Sequence, residues 1–160
     1  MFQLIMKRNF VIGLVLIVFS AFVIQSCVSS GCGKTEISSY NAHESKKMTG
    51  NCMGCHSPNG GAGAGCFRVG GTAFDSIKGD SAVQNSIVRL YTQPLGGGEL
   101  VATLQVDKSG NFYTTSPVSF ANGLYPAITS SAGTRYMPSA ALTGACNSCH
   151  GTINANLWAD

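Results

Sequence analysis

Two five-residue groups with the same pattern constrain this chain more than any other feature. Each has the form Cys-x-x-Cys-His, and they read Cys52-Met-Gly-Cys55-His56 and Cys146-Asn-Ser-Cys149-His150. The chain has only seven cysteines and three histidines, so chance placement would very rarely put two histidines directly behind cysteine pairs. Thiols at positions i and i+3 lie about one helical turn apart on one face, where they can hold a single group.

Both groups resemble the haem-attachment motif of c-type cytochromes. In that family the thiols form thioether bonds with the two haem vinyl groups, and the histidine binds the iron. The resemblance implies two covalently bound haem c groups, with His56 and His150 as proximal iron ligands. The implied cofactor-binding residues are Cys52, Cys55, His56, Cys146, Cys149 and His150. Covalent attachment replaces a large hydrophobic pocket, which suits a small chain with 20 glycines.

Zinc binding and dithiol redox chemistry are the alternatives for the cysteine pairs. A four-sulfur zinc site does not require histidines. The two pairs are also about 90 residues apart, whereas the pairs of a zinc ribbon are usually separated by roughly 15–20 residues. Dithiol redox motifs normally open a helix in a βαβ pattern, which this sequence does not show. Haem attachment therefore remains the preferred interpretation.

The N-terminus has the features of an export signal, assigned to residues 1–26. Lys7 and Arg8 precede an apolar run through residue 24. About fifteen apolar residues are fewer than the roughly 20 that span a bilayer, although an uncleaved anchor is the alternative. The sequence Ile-Gln-Ser-Cys27 resembles a bacterial lipobox, which implies lipidation of Cys27 and membrane attachment through the lipid; free secretion after a cut behind Ser30 is the alternative.

The expected location is outside the cytoplasm. The protein would be an outer-membrane or cell-surface lipoprotein, or would reside in the periplasm or extracellular space. Without Lys7 and Arg8 of the signal peptide, the chain has eight basic and seven acidic residues, and no basic tract remains that could bind nucleic acid. In an oxidising compartment Cys32 and Cys66, which flank the first motif, are candidates for a disulfide; two unpaired thiols are the alternative.

The segment between the motifs has the character of short strands. Leu100, Ala102, Leu104 and Val106 alternate with polar residues, and turn residues at 107–110 follow as in a hairpin. Together with Val88-Arg-Leu-Tyr91 and Asn111-Phe-Tyr113, this stretch resembles the carboxypeptidase-regulatory-like or transthyretin-like sandwich. That resemblance implies architecture and carries no catalytic residues. An irregular coat packed around the haems is the alternative.

The expected fold is mainly β: a small antiparallel β-sandwich flanked by two short haem-binding c-type cytochrome segments. The expected divisions are 1–26, the signal peptide; 27–66, a lipid-anchored arm with the first haem motif; 67–134, the sandwich; and 135–160, the second haem motif. About six strands are expected in the sandwich. An even number of crossings would return the chain to the end where it entered and bring both haems close together.

His43 and Met137 are the candidates for the distal iron ligands. Each lies nine residues before the first cysteine of a motif, and Met137 precedes Pro138, which resembles the Met-Pro pair of small class I cytochromes. Met48 and Met53 are alternative sulfur donors. A solvated His43 and a core-filling Met137 are the structural alternatives. Which iron each ligand reaches is left open.

The expected function is electron transfer by an exported dihaem cytochrome that is not an enzyme. Its partners would be redox proteins or other copies of itself, and an extracellular electron-transfer chain or assembly is one setting for such a carrier. One alternative is a haem enzyme or gas sensor with an open iron site. Another is a structural or adhesive surface protein stapled by haem.

Overall fold

The structure is a computed structural model that describes residues 32, 36–39, 50–58, 65–79, 81–83, 85–151 and 154–159. Three predicted features lie outside the described residues: the signal peptide, the lipidation site Cys27 and the distal ligand His43. The alternative ligand Met48 also lies outside them.

The described residues form seven strands, one α-helix and two 3₁₀ helices. The strands are β1 (Val69–Phe74), β2 (Ile87–Tyr91), β3 (Leu100–Gln105), β4 (Asn111–Thr114), β5 (Tyr125–Ser130), β6 (Gly133–Tyr136) and β7 (Leu157–Trp158). The α-helix is α1 (Cys52–Cys55), and the 3₁₀ helices are Pro94–Gly96 and Cys146–Ser148.

The strands are arranged in two sheets. One has the order β4-β1-β7, with β1 antiparallel to β4 and parallel to β7. The other has the order β3-β2-β5-β6 and is antiparallel throughout. This architecture confirms the prediction of a mainly β chain built around a small β-sandwich.

Apolar side chains from both sheets form the core. In β2, Val88 and Leu90 are buried while their neighbours are half-buried, which is the period of two expected for a strand with one inward face. In β3, the predicted alternation holds at Leu104, which is fully buried, and fails at Leu100, which is 48% exposed at the start of the strand. Leu100 is exposed because it lies beyond the end of the core.

The turn after β3 connects the two sheets. The amide of Gly110 donates to the carbonyl of Asp107 at 3.0 Å, and the amide of Asp107 donates to the carbonyl of Asn111 at 2.8 Å, as in the predicted hairpin turn. The strands then separate, because β3 pairs with β2 while β4 pairs with β1. The predicted turn is therefore present, but it passes the chain from one sheet to the other.

Residues beyond the expected 67–134 segment also contribute to the sheets. Ile37 forms an antiparallel bridge with Thr114, and Ala145 forms a parallel bridge with Gly70. The two residues of β7 pair with the end of β1. The chain on both sides of the predicted sandwich thus lies against the β1 sheet, which places both Cys-x-x-Cys-His groups beside it.

Candidate functional site

The first motif forms a short helical turn. Helix α1 begins after Asn51, whose side-chain oxygen accepts from the amide of Met53 at 3.1 Å and caps the helix. The amide of His56 donates to the carbonyl of Cys52 at 2.9 Å. Cys52 is half-buried and Cys55 is exposed. Both cysteines and the histidine of the motif are therefore held by one turn of backbone.

The second motif repeats this geometry in a 3₁₀ helix. The amides of Cys149 and His150 both donate to the carbonyl of Cys146, at 3.2 and 3.0 Å. Again the first cysteine is half-buried and the second is exposed. The two motifs thus offer their thiols and imidazoles in the same order along one turn, although different helix types hold them.

Both motif histidines use Nδ1 in the same way. Nδ1 of His56 lies 3.4 Å from the carbonyl oxygen of Gly65, and Nδ1 of His150 lies 3.1 Å from that of Ala155. A carbonyl oxygen can only accept, so each contact requires a proton on Nδ1, and in the neutral imidazole the lone pair is then on Nε2. This tautomer is the one in which Nε2 can bind a metal while a backbone carbonyl orients the ring.

The motifs meet at two consecutive glycines of β1. A Cβ added to Gly70 would lie 3.1 Å from Cβ of Cys52, and one added to Gly71 would lie 2.8 Å from Cβ of Cys146. Successive residues of a strand point to opposite faces, so the first cysteines of the two motifs pack on opposite sides of β1. Residues 52 and 146, far apart in sequence, are thereby separated by little more than the thickness of one strand.

The imidazole of His56 belongs to a stack of three aromatic rings. It lies 3.8 Å from the ring of Phe67 with an interplanar angle of 5°, and Phe67 lies 4.4 Å from Tyr113 at 13°. The amide of Phe67 also donates to the carbonyl of His56 at 3.0 Å. Phe67 and Tyr113 are both buried, so this stack restrains the plane of the His56 ring.

The second motif lines a cleft of about 850 Å³, within the range of ligand and cofactor sites. The predicted distal ligand Met137 lines the same cleft as Cys149 and His150. The guanidinium of Arg135 lies 3.4 Å from the ring centre of Trp158, and both residues also line the cleft. The cleft therefore combines apolar walls, the thioether of Met137, the thiols of Cys146 and Cys149, and the guanidinium of Arg135.

Burial raises the pKa of the first thiol of each motif. It raises the pKa of Cys146 to about 12, with the nearby Cys52 as a smaller cause. Burial likewise raises the pKa of Cys52. A thiol with a raised pKa is seldom present as the nucleophilic thiolate, whereas the reactive thiols of catalytic dithiol motifs have a lowered pKa.

Within the described ranges, no group of three or more histidine, cysteine, aspartate or glutamate side chains is placed to hold a bare metal ion.

The remaining predicted pair, Cys32 and Cys66, is joined in a disulfide with a Cα–Cα distance of 4.7 Å. The two cysteines are 34 residues apart in sequence, and the first motif lies between them. Among the described residues, the helices lack the length and apolar character of a membrane span.

Several residues that shape the site carry no signal in the sequence. Phe67 lies eleven positions after His56, and Trp158 belongs to a strand of only two residues. Asn147 occupies a spacer position inside the second motif, where the pattern allows any residue. Only the tandem glycines of β1 could have indicated a place of close backbone approach.

No family model, curated protein or solved structure matches the chain. Its function is therefore inferred from the site and its chemistry.

Proposed function

We propose that the protein is an exported dihaem c-type cytochrome that transfers electrons in the periplasm or at the cell surface. The observation that carries the proposal is the paired geometry of the two motifs. Each offers two thiols and an imidazole on one backbone turn, and each imidazole is oriented through Nδ1 by a carbonyl oxygen. Haem c, when bound, supplies iron that exchanges single electrons.

The residues of the two motifs would hold the cofactors. Cys52 and Cys55 would form thioethers with one haem, and Cys146 and Cys149 with the other. Nε2 of His56 and of His150 would be the proximal ligands, because Nδ1 is engaged by the backbone. A proximal imidazole with a fixed plane and tautomer needs little rearrangement when the iron changes oxidation state, which favours electron transfer.

The walls of the 850 Å³ cleft fit the second haem. Its apolar lining would cover the macrocycle, and Arg135 would offset the negative charge of the propionates. Met137 lines this cleft together with His150, so we assign Met137 to the second haem as its distal ligand. His43 remains the candidate distal ligand of the first haem on the sequence argument.

Electrons would pass between the two haems and then to another redox protein or another copy of the chain. The attachment turns lie on opposite faces of one strand, which supports exchange between haems within a molecule. Lipidation of Cys27 would keep this carrier at a membrane surface. The cofactors would perform no substrate chemistry.

Covalent attachment tests the proposal. The mature protein should retain haem on a denaturing gel, and its mass should exceed that of the polypeptide by two haem groups. Cys149→Ala with His150→Ala should retain one haem per chain, as should the matched pair Cys55→Ala with His56→Ala. Loss of all colour from the wild-type protein on acid–acetone treatment would refute the proposal.

The absorption spectrum distinguishes the proposed function from its alternatives. A low-spin spectrum would support an electron carrier, and a high-spin spectrum that responds to carbon monoxide would favour the enzyme or sensor.

A further inference from the structure

Asn147 is buried although it occupies a spacer position of the second motif. Its side chain is 3% exposed. Neither thioether formation nor iron binding requires a particular residue between the two cysteines of such a motif. A buried carboxamide also has to form hydrogen bonds to offset its desolvation. The burial of Asn147 therefore indicates a structural role other than haem attachment.

The first set of contacts of the Asn147 side chain is with the edge of β1. On this edge Gly70 pairs with Ala145, and Ala73 pairs with Leu157 further along. Between them, the backbone amide of Thr72 donates to Oδ1 of Asn147 at 2.9 Å. The side-chain carbonyl thus takes the place of a strand carbonyl in a gap of the sheet. This bond fixes the position of the second motif along β1.

The second set of contacts connects the Asn147 side chain to the first motif. Nδ2 of Asn147 donates to the carbonyl of Gly50 at 3.1 Å and to Oγ1 of Thr72 at 3.1 Å. Gly50 directly precedes Asn51, the residue that caps helix α1. Both amide protons are therefore used, one on β1 and one on the chain that leads into the first motif.

The network continues into β4. Thr72 is fully buried, and its Oγ1 donates to Oδ1 of Asn111 at 3.0 Å while accepting from Asn147. A connected buried network of this kind holds its members in one arrangement, because any displacement leaves a desolvated polar group without a partner. The carboxamide of Asn147 joins β1, the second motif and the entry to the first motif.

We propose that Asn147 is a positioning residue that fixes the distance and orientation of the two haem-attachment motifs relative to each other. The proposal rests on the proposed dihaem function. The hydrogen bonds described above join Asn147 to Thr72 and Gly50, which are not attachment residues, so it would act on the haems through backbone placement. Loss of its Nδ2 donor would release the first motif from the second while leaving all six attachment residues intact.

The test measures the electronic coupling between the two haems, which depends on their distance and mutual orientation. Two haems at a short, fixed distance give an exciton couplet in the Soret circular dichroism, and its amplitude depends on their mutual geometry. Asn147→Leu removes both the donor and the acceptor. Asn147→Asp is nearly isosteric and removes only the Nδ2 donor, so it serves if the leucine variant folds poorly. Asn122→Asp makes the same chemical change in an exposed turn and is the matched control.

All variants are compared as purified full-length mature protein with two haems per chain. We expect the couplet to fall by half or more in both Asn147 variants and to persist in Asn122→Asp. A role in stability only would lower the yield or melting temperature of the Asn147 variants and leave the couplet per dihaem molecule unchanged, which overturns the proposal. A wild-type dihaem protein without a couplet overturns it as well. Wild-type protein without covalent haem refutes the proposed function itself, a distinct result.

Discussion

The two motif histidines have different surroundings although their motifs have the same pattern. His56 is stacked on Phe67 and held in an aromatic column. His150 faces a cleft that it shares with Met137. Haem potential depends on the axial ligand, on burial and on neighbouring hydrogen bonds. We therefore expect two haems of unequal potential.

Replacing Met137 tests this inequality. A thioether sulfur stabilises ferrous iron more than an imidazole does, so Met137→His should lower the midpoint of one redox step and leave the other nearly unchanged. The near-infrared charge-transfer band of sulfur-ligated ferric haem should disappear in Met137→Ala.

Met53→Ala is the control for the methionine assignment. Met53 is a half-buried spacer residue of the first motif, and we expect its replacement to leave the near-infrared band unchanged. A band that survives in Met137→Ala would refute the assignment of Met137, and its loss in Met53→Ala would transfer the role to the first motif.

At the scale of elements, β1 is the strand on which the candidate site is built. Its six residues are all buried, and it pairs with β4 on one edge and with β7 and the second motif on the other. Gly70 and Gly71 leave space on its two faces for the two motifs. A side chain at either position would push a motif away from the sheet.

Gly71→Ala tests the packing against β1. The added Cβ would lie 2.5 Å from Cζ of Phe112 and 2.8 Å from Cβ of Cys146. Overpacking of a buried site costs about 1–3 kcal/mol, so the free energy of unfolding from urea titration should fall by that amount. Gly50→Ala is the matched control, because its Cβ would meet nothing within 4 Å and the change should stay within about 0.5 kcal/mol. Equal stability of the two variants would contradict the proposed packing.

Local patterns predicted the elements well, and long-range partners were the part that the sequence could not reveal. The pentapeptides indicated one helical turn each, and alternation indicated β3, because both signals repeat over a few residues. The two residues of β7 are too few to show a period. The place of Asn147 in the β1 edge depends on a partner 75 residues away, which no local pattern encodes.

The sandwich topology likewise combines a turn that local sequence predicts with strand pairing that it does not. The turn after β3 was predictable from its Asp and Gly residues, since these stabilise tight turns locally. Its strands nevertheless lie in different sheets, because β1 offers β4 a partner from a distant part of the chain. Six described strands separate the motifs, the number expected, and both motifs lie against β1.

On the scale of the whole molecule, the described chain is held together by long-range links of several kinds. The disulfide joins Cys32 to Cys66, the residue before Phe67, which is the central ring of the aromatic stack. Disulfides persist in oxidising compartments, so this link agrees with the proposed export.

Removing the disulfide should destabilise the molecule without removing haem. The bond closes a loop of 34 residues, for which a cost of about 2–4 kcal/mol is typical. Cys32→Ser with Cys66→Ser should therefore lower the free energy of unfolding by about this amount in urea titrations, with two haems still attached.

Treatment of the wild-type protein with a reductant should reproduce this loss, and the double variant should not respond to the reductant. A reductant effect of equal size in the double variant would show that the Cys32–Cys66 bond is not the cause.

The parallel placement of Ala145 and β7 along β1 has a consequence for biogenesis. The edge of β1 that receives them can close only after residues 145–158 have been synthesised, and Asn147 forms hydrogen bonds to residues that lie 75 and 97 positions away in sequence. Native contacts between such distant residues slow folding, because loop-closure entropy is lost before the contacts form. We therefore expect this edge of β1 to close late in folding, so that all four motif thiols are accessible for the proposed haem attachment before Cys146 packs against Gly71.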